Sequence, residues 1–316
     1  MTAYFASLSF LKLFKSMPGG IAQGLIWGLM ALGIYITFRL LDVADLTVDG
    51  SFTTGGAVTV MLVLAGWPAW AALLIAVIAG ILAGLVTGLL HTRLGIPAIL
   101  AGILTQLSLY SINLRIMGMS ANKAVSVDKY HLLLSSRNIP ASILTGVVFA
   151  VALISIFYWY FGTEQGSAIR ATGANPAMCR ALGINVDRMK VLGLAISNGI
   201  VALSGGLMSQ YQGFADINMG RGAIVIGLAA VIIGEVISRA LFRRYINFAI
   251  TLAFTVIGGV LYYLVIVIVL WLKLSSNDLK LFTAVIVALF LAVPTLRERR
   301  RRSPRAGKKK EADGHA

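Results

Sequence analysis

Long apolar segments separated by short polar ones run along almost the whole chain. A helix needs roughly 18–20 apolar residues to cross a bilayer core of about 30 Å, and several segments approach or exceed that length. The alternating ten-residue segments typical of a membrane β-barrel do not occur. The pattern therefore predicts an all-α polytopic membrane protein with about nine transmembrane helices, within a range of eight to ten. The nine apolar segments cover about residues 20–40, 51–66, 69–90, 97–116, 140–161, 190–210, 222–238, 246–271 and 280–295.

The composition agrees with this pattern. Of 316 residues, 58% are hydrophobic and only 12% are charged, and the mean hydropathy is +0.87. No ordinary soluble core needs so large an apolar share. The first apolar segment follows Lys12 and Lys15 but is not followed by a small-residue cleavage site, so we expect a retained span rather than a signal peptide. The single cysteine, Cys179, excludes an internal disulfide framework.

Positive charge is concentrated near the carboxyl end. The formal net charge is +15, and nine of the 27 basic residues fall within Arg297–Lys310, directly after the last apolar segment. Such a juxtamembrane cluster is typical of a cytoplasmic end, with attraction to membrane lipid as a secondary effect, and it argues against a nucleic-acid partner. We therefore predict a transmembrane domain over residues 1–296 and a disordered, cytoplasmic basic tail over residues 297–316, with the amino terminus outside. Without the tail, basic residues divide equally between the two sides, so the tail alone decides the orientation.

Two polar stretches resemble each other. ADLTVDGSFTTGG covers Ala44–Gly56 and ADINMGRGAIVIG covers Ala215–Gly227; both begin with Ala-Asp-aliphatic-polar-aliphatic and lead into short apolar runs. On the nine-segment count they lie near opposite sides of the membrane, which predicts two inverted repeats, about 20–117 and 190–296, as in many transporters. Neither short run easily spans the bilayer alone, so we expect broken half-helices near the midplane, lining a central path.

The polar residues of these stretches are candidates for a substrate path. Carboxylates within a membrane cost about 2.5–3.5 kcal/mol each at its centre and are often functional. The alternative is that the carboxylates only cap helices in interfacial loops, and the role of Glu235 stays open. Asn113 and Asn198, like most polar residues within spans, are interpreted as interhelical hydrogen-bonding groups. The candidate path residues are Asp45, Thr47, Asp49, Ser51, Thr54, Gln106, Asp216 and Asn218.

The longest internal loop, Gly162–Lys190, contains the signals of a short helix. Asn175 and Pro176 are typical of an N-cap and a first-turn proline, Ala177–Leu182 can form the helix, and Gly183 can end it. Its basic residues would face the cytosol. The alternative is a solvated helix that only joins two spans.

No pattern of residues indicates catalysis by this chain. The phosphate-binding motif G-x-x-x-x-G-K-[ST] does not occur, so we expect no ATP hydrolysis of that type. His91, His131, His315 and the single cysteine form no metal-binding pattern. No nucleophile, base and orienting group can be proposed from spacing. The sequence therefore predicts neither catalytic nor metal-binding residues, and no cofactor.

The loop segment RATGANPAMCRALGINVDRMK, Arg170–Lys190, is similar to a known family. It resembles the cytoplasmic coupling loop of the membrane permease subunits of binding-protein-dependent ABC importers, in the group serving branched-chain amino acids and ribose, including the characteristic ending Leu182-Gly183-Ile184-Asn185. The segment DLTVDGSF, Asp45–Phe52, resembles a branch related to tryptophan and tyrosine uptake permeases. The similarity covers almost the whole chain, from about Pro18 to Pro294.

The resemblance implies a translocation subunit of an importer in the bacterial inner membrane, with a small organic solute, most notably an amino acid, as its cargo. Such a subunit pairs with itself or a similar permease subunit, docks two cytoplasmic ATPase subunits, and receives solute from an extracytoplasmic substrate-binding protein. In these families a short coupling helix sits in a cleft of each ATPase. The positions carried over to this role are Asn175, Pro176, Ala177, Arg180, Ala181 and Gly183.

Two features depart from the family pattern. Asp49 is an additional residue relative to the ribose-type permeases, and Glu235 stands where relatives often carry a longer glycine-rich turn. A self-contained ion-coupled secondary transporter is the alternative function, supported by the intramembrane carboxylates and the inverted repeat. A structural membrane protein whose tail tethers a partner is a third. The coupling loop favours the importer subunit, because an ion-coupled carrier needs no helix of that design.

Overall fold

The computed structural model describes residues 10–127, 129–241 and 247–271, together with four single helical positions at 281, 285, 288 and 292. This part of the chain forms ten α-helices and two short strands, which confirms the predicted all-α class. A π-helical turn, Ile36–Leu40, directly follows the first helix. The elements are α1 Phe10–Tyr35, α2 Thr47–Leu64, α3 Ala69–Thr92, α4 Ala98–Ile116, β1 Asn122–Ala124, α5 Ile139–Tyr160, α6 Glu164–Ala174, α7 Pro176–Ala181, α8 Val186–Gln212, β2 Phe214–Asp216, α9 Ala223–Leu241 and α10 Phe248–Trp271.

The described residues do not confirm the predicted number of membrane spans. Within the described residues, 7 helices are long and apolar enough to cross a membrane, and α2 adds the shorter apolar stretch Val48–Leu64. The predicted segment 280–295 lies outside the described residues apart from the single positions, as does the basic tail. Helix α1 already includes Phe10, the first described residue, and so extends further towards the amino terminus than predicted, because charged residues that end an apolar run do not end a helix. The predicted count of about nine is therefore not confirmed.

Helices α1 and α8 form the centre of the bundle. About four fifths of each span is buried inside the protein, 83% for α1 and 78% for α8, compared with 28% for α4 and 17% for α5. Helix α3 exposes Leu74, Ile78 and Leu82, each more than half exposed and four residues apart on one helix face. In a bilayer this apolar face contacts lipid.

Small residues bring the central helices into close contact. Helices α2 and α8 cross where Gly55 lies against the backbone of Ala202 and Gly205 lies against the backbone of Phe52. A side chain at either glycine would overlap the facing peptide group. Gly84 makes the corresponding contact between α3 and α8. Close approach at small residues is a usual means of helix packing in membranes, where no hydrophobic effect drives helices together.

The two halves predicted as repeats are interlocked. Helix α1 packs against α10, and α8 packs against α3, so the first helix of each half lies on the third helix of the other. The boundaries of the repeats stay a prediction.

The chain direction defines two opposite faces of the bundle. β1 and β2 pair in antiparallel fashion, with Asn122 opposite Asp216 and Ala124 opposite Phe214, and join the segments that follow α4 and α8. We call this side the ribbon face. Helices α6 and α7 lie between α5 and α8 at the other end, which we call the α6–α7 face. The ribbon was not predicted, because three-residue strands carry no periodic signal.

Candidate functional site

The first polar stretch forms the start of α2. Residues 41–46 are not helical, and α2 then continues unbroken from Thr47, so the predicted break lies before Thr47. The Ser51 hydroxyl donates a 2.6 Å hydrogen bond to Oδ1 of Asn198. Asn198 is the thirteenth of the 27 residues of α8. At 1.5 Å per residue it lies about 18 Å from the start of α8, so α2 begins near mid-depth.

A network of buried hydrogen bonds surrounds the start of α2. Asn198 Nδ2 donates to Asp45 Oδ2 at 2.7 Å, and the Thr47 backbone N–H donates to Asp45 Oδ1 at 2.9 Å. Asp45, Thr47, Ser51 and Asn198 are each at most 3% exposed. Burying a carboxylate is costly unless it is hydrogen-bonded, and here an amide and a backbone donor satisfy it. The network therefore holds α2 and the preceding segment against α8.

A chain of threonine hydroxyls extends the network across three helices. Thr47 Oγ1 and Thr87 Oγ1 of α3 are 2.7 Å apart, and Thr87 donates to Thr105 Oγ1 of α4 at 2.9 Å. Thr54 donates to the Gly50 carbonyl within α2 at 2.9 Å. These candidate path residues thus have buried partners inside the protein.

Asp49 connects the two polar stretches. Its Oδ2 accepts the backbone N–H of Gly222 at 2.9 Å, and its Oδ1 accepts the N–H of Ile224 at 3.0 Å. Nearby, the backbone N–H of Gly220 donates a hydrogen bond to Thr53 Oγ1 at 3.2 Å. Asp49 therefore satisfies free N–H groups at the start of α9 and complements the positive end of that helix dipole.

Helices α2 and α9 consequently begin close together and run to opposite faces. The end of α2 lies near the ribbon face, where the Leu64 carbonyl accepts the Tyr130 hydroxyl at 3.4 Å. The end of α9 lies at the α6–α7 face, where Glu235 contacts Arg39. Two helices that start near mid-depth and diverge correspond to the half-helices predicted from the two stretches.

A cavity of about 280 Å³ opens beside Asp49, between α2, α4 and the segment before α9. Its polar lining includes Asp49, Gln106, Asn113 and Arg221. Tyr110, also in the lining, is 45% exposed, so the cavity is open towards the outer side of α4. Asp49 and Gln106 are the two candidate path residues that the cavity brings together.

Asp216 and Asn218 lie at the ribbon, outside the lining of this cavity. The Asn218 backbone N–H donates to Asp216 Oδ1 at 2.7 Å, and Asn122 Nδ2 donates to Oδ2 at 3.5 Å. Asp216 thus bonds the residue two positions ahead, as Asp45 bonds Thr47, which matches the similarity of the two stretches. The bond is an Asx-turn, in which an aspartate organises its own loop.

Sequence reasoning missed two residues of the cavity. Asn113 is 0% exposed, and in the part of the chain that the structure describes neither its Nδ2 nor its Oδ1 has a hydrogen-bond partner, so it forms no interhelical hydrogen bond there, contrary to the prediction. Arg221 was not singled out, although it is the only basic residue in either polar stretch. A lone basic residue within a polar stretch was the sequence signal that could have identified Arg221. Asn113 carried no signal, because its unpaired state depends on the packing around it.

The α6–α7 face carries the short helix predicted from the sequence. Helix α7 begins at Pro176, Asn175 Oδ1 accepts the Met178 N–H at 3.0 Å, and Gly183 after its end has φ +80°. The predicted cap, first-turn proline and glycine stop are confirmed. Cys179 is 1% exposed and faces the protein. The exposed residues of the segment include Asn175, Pro176, Ala177, Arg180, Ala181 and Gly183.

A partly buried ion pair lies at the same face. Arg39 Nη2 contacts Glu235 Oε2, and Arg239 Nη2 is 4.0 Å from the same oxygen. The Glu235 side chain is only 11% exposed, so the pair links the π-helical turn after α1 to α9. This gives Glu235 a structural partner that its sequence context did not reveal. No group of three or more His, Cys, Asp or Glu side chains that could hold a metal ion occurs in the described part of the chain.

Comparison with known proteins gives one consistent result. A family model described as "Branched-chain amino acid transport system / permease component" matches residues 16–294. A tyrosine transport system permease protein of Clostridioides difficile is 38% identical over 276 residues, which cover 87% of this chain and 90% of the relative. The autoinducer 2 import system permease protein LsrC of Yersinia pseudotuberculosis is 32% identical over 222 residues, 69% of this chain and 60% of the relative.

Two further similarities give no information about function. An uncharacterized protein of Rickettsia prowazekii is 33% identical over 277 residues, 86% of this chain and 95% of that protein. A solved structure of PsaBC from Streptococcus pneumoniae in complex with Fab has a TM-score of 0.49 and 14% sequence identity, covering 90% of this chain and 95% of that chain.

Proposed function

This chain belongs to the family of permease components of branched-chain amino acid transport systems, and it is a multi-pass permease subunit of an ABC importer. We propose that it passes an amino acid across the bacterial inner membrane, driven by ATP hydrolysis on partner ATPase subunits. The 38% identity to a tyrosine transport system permease protein supports an amino acid as the solute. Permease subunits of this family are non-catalytic, which agrees with the sequence analysis.

The observation that carries the proposal is the exposed, separately capped helix α7. Six residues form it, with Asn175 as its cap and Cys179 as its buried anchor. A helix this short is not stable alone, so packing and capping must hold it. An exposed rigid helix joined to central helix α8 suits the docking of an ATPase. The two states of the ATPase would then shift the bundle through their different affinities for it.

The path for the solute is proposed to run along the cavity beside Asp49. The starts of α2 and α9 meet there near mid-depth, which is where transporters of the inverted-repeat type place their binding sites. Asp49 and Gln106 are proposed to face the solute. Asp45, Thr47, Ser51 and Thr54 are proposed to hold the helices around it, and Asp216 and Asn218 to shape its approach at the ribbon face.

The arrangement of partners follows from this assignment. The α6–α7 face is proposed to be cytoplasmic, in agreement with the basic tail after residue 296, and the amino terminus to lie outside. An extracytoplasmic binding protein would deliver solute at the ribbon face. A second permease subunit, in the simplest case another copy of this chain, would pack beside the open side of the cavity at α4, where Leu107 is 64% exposed.

The experiment is co-purification of the full-length protein with the ATPase from its native membrane. We expect the wild type to retain an ATPase, and Arg180→Ala or Gly183→Ala to weaken that association while membrane insertion is unchanged. Arg93→Ala is the matched control, because Arg93 is exposed at the same face but lies outside α7. Retention that is equal in all variants contradicts the role of α7. Solute uptake driven by an ion gradient, without any ATPase, would favour the secondary transporter instead.

A further inference from the structure

The cavity beside Asp49 contains polar side chains with unused hydrogen-bonding capacity. Asn113 is 0% exposed, and neither of its side-chain polar atoms has a hydrogen-bond partner among the described residues. Gln106, which is partly buried, and Arg221, which is exposed, line the same cavity and make no side-chain hydrogen bond or ion pair with any described residue. Buried polar groups in folded proteins are normally paired. An unpaired, fully buried amide in a cavity wall therefore points to a polar molecule that binds there.

Opposite charges line the cavity without neutralising each other. Asp49 and Arg221 both contribute to the lining, yet they form no ion pair with each other. Asp49 accepts the backbone N–H groups of Gly222 and Ile224 and also interacts with that of Ala223, so one of the about four acceptor sites of its carboxylate is left for a further donor. A simple cation would be repelled by the guanidinium, and a simple anion by the carboxylate. A small molecule that carries both charges satisfies both groups.

We propose that this cavity recognises the zwitterionic backbone of an α-amino acid, an inference that rests on the proposed function and specifies its substrate class. Asp49 binds the ammonium group and Arg221 binds the carboxylate through charge-assisted hydrogen bonds, which are the strong ones in proteins. Asn113 and Gln106 offer amide groups to either end. Tyr110 provides an apolar wall for the side chain. The volume of about 280 Å³ is near the lower end of ligand cavities, about 300–1,000 Å³, and suits an amino acid.

Saturation-transfer difference NMR on the full-length protein in lipid nanodiscs can test this without partner subunits. The probes are L-tyrosine, tyramine, which lacks the carboxylate, and 3-(4-hydroxyphenyl)propionate, which lacks the ammonium group. We expect the wild type to bind L-tyrosine about ten- to a hundredfold more tightly than either analogue. Each analogue loses one charge-assisted contact, and such a contact corresponds to a factor of about that size.

Two variants should change the preference in opposite ways. Arg221→Gln should remove the preference for L-tyrosine over tyramine and keep the preference over the propionate. Asp49→Asn should do the reverse. Arg93→Gln, which removes an exposed positive charge at the α6–α7 face, is the control and should keep both preferences. A general loss of structure cannot produce this crossed pattern.

The results separate this inference from the proposed function. Equal binding of all three probes by the wild type, binding of none of them, or an equal loss of all three in both variants would overturn the zwitterion site. Co-purification with the ATPase would stand in each of those cases, because it depends on α7. A protein that shows the crossed pattern but docks no ATPase would keep the site and overturn the importer assignment.

Discussion

The contact between α2 and α8 allows a quantitative test of the packing. Gly205→Ala would place a Cβ in overlap with the carbonyl oxygen of Phe52 and 2.7 Å from its carbonyl carbon, whereas non-bonded carbon atoms pack at about 3.5–4.0 Å. The facing atom belongs to the backbone, so no side-chain rotation can relieve the overlap, and the helices must separate by about 1 Å. That separation would stretch the 2.6 Å bond between Ser51 and Asn198 beyond hydrogen-bonding range.

The expected loss of stability is the sum of three contributions to the free energy of unfolding. Overpacking costs about 1–3 kcal/mol, and the lost interhelical hydrogen bond costs about 0.6 kcal/mol. Replacing a helical glycine by alanine returns about 0.5–1 kcal/mol through the lower entropy of the unfolded chain. The free energy of unfolding should therefore fall by about 1–3 kcal/mol. At about 2–4 °C per kcal/mol, the melting temperature should fall by about 2–12 °C.

The assay is thermal unfolding of the full-length protein in detergent, followed by size-exclusion chromatography of the surviving folded fraction. Gly19→Ala is the matched control, because a Cβ at Gly19 in α1 would lie 3.7 Å from the hydroxyl of Tyr211 in α8, which is an ordinary van der Waals contact. We expect this control to melt no lower than the wild type. A Gly205→Ala protein that is as stable as the Gly19→Ala protein would refute the close crossing of α2 and α8.

Three further predictions concern single polar groups. Glu235→Gln removes the partner charge of Arg39; because Arg39 is 39% exposed, we expect thermal unfolding to show a loss of about 1–3 kcal/mol, less than for a fully buried pair. Asn198→Ala leaves Asp45 buried without its amide donor and should cost about 2–4 kcal/mol in the same assay. Asn175→Ala removes the α7 cap, worth about 0.5–2 kcal/mol; ATPase co-purification should weaken, and the melting temperature should fall by no more than about 1–8 °C.

Local signals made parts of the protein predictable. Helix α7 was predicted to within a residue, because an Asn-Pro start and a glycine stop act through backbone groups a few residues away. The spans were predictable because lipid excludes unpaired backbone groups and demands long apolar helices. The beginning of α2 was located less well, since the polar residues from Thr47 onwards continue a helix instead of interrupting it.

Contacts between distant segments were not predictable. Asp45 and Asn198 are 153 residues apart, and Asp49 and Gly222 are 173 apart, so their bonds depend on how α2, α8 and α9 pack. A carboxylate in an apolar sequence signals that a partner is needed, but it does not identify that partner. The cavity residue Asn113 shows the same limit, since its lack of a partner is a property of the packed bundle.

The most direct test of the central claim is the side of the membrane on which α7 lies. Leu182, directly after α7, is 66% exposed, whereas the native Cys179 is 1% exposed and should react little with a thiol reagent. Leu182→Cys would be treated with a membrane-impermeant maleimide in oriented vesicles. We predict labelling only where the cytoplasmic side is accessible, and protection when the ATPase is bound. Labelling from the external side, or labelling that a bound ATPase does not reduce, would contradict the assignment of α7 as the coupling helix.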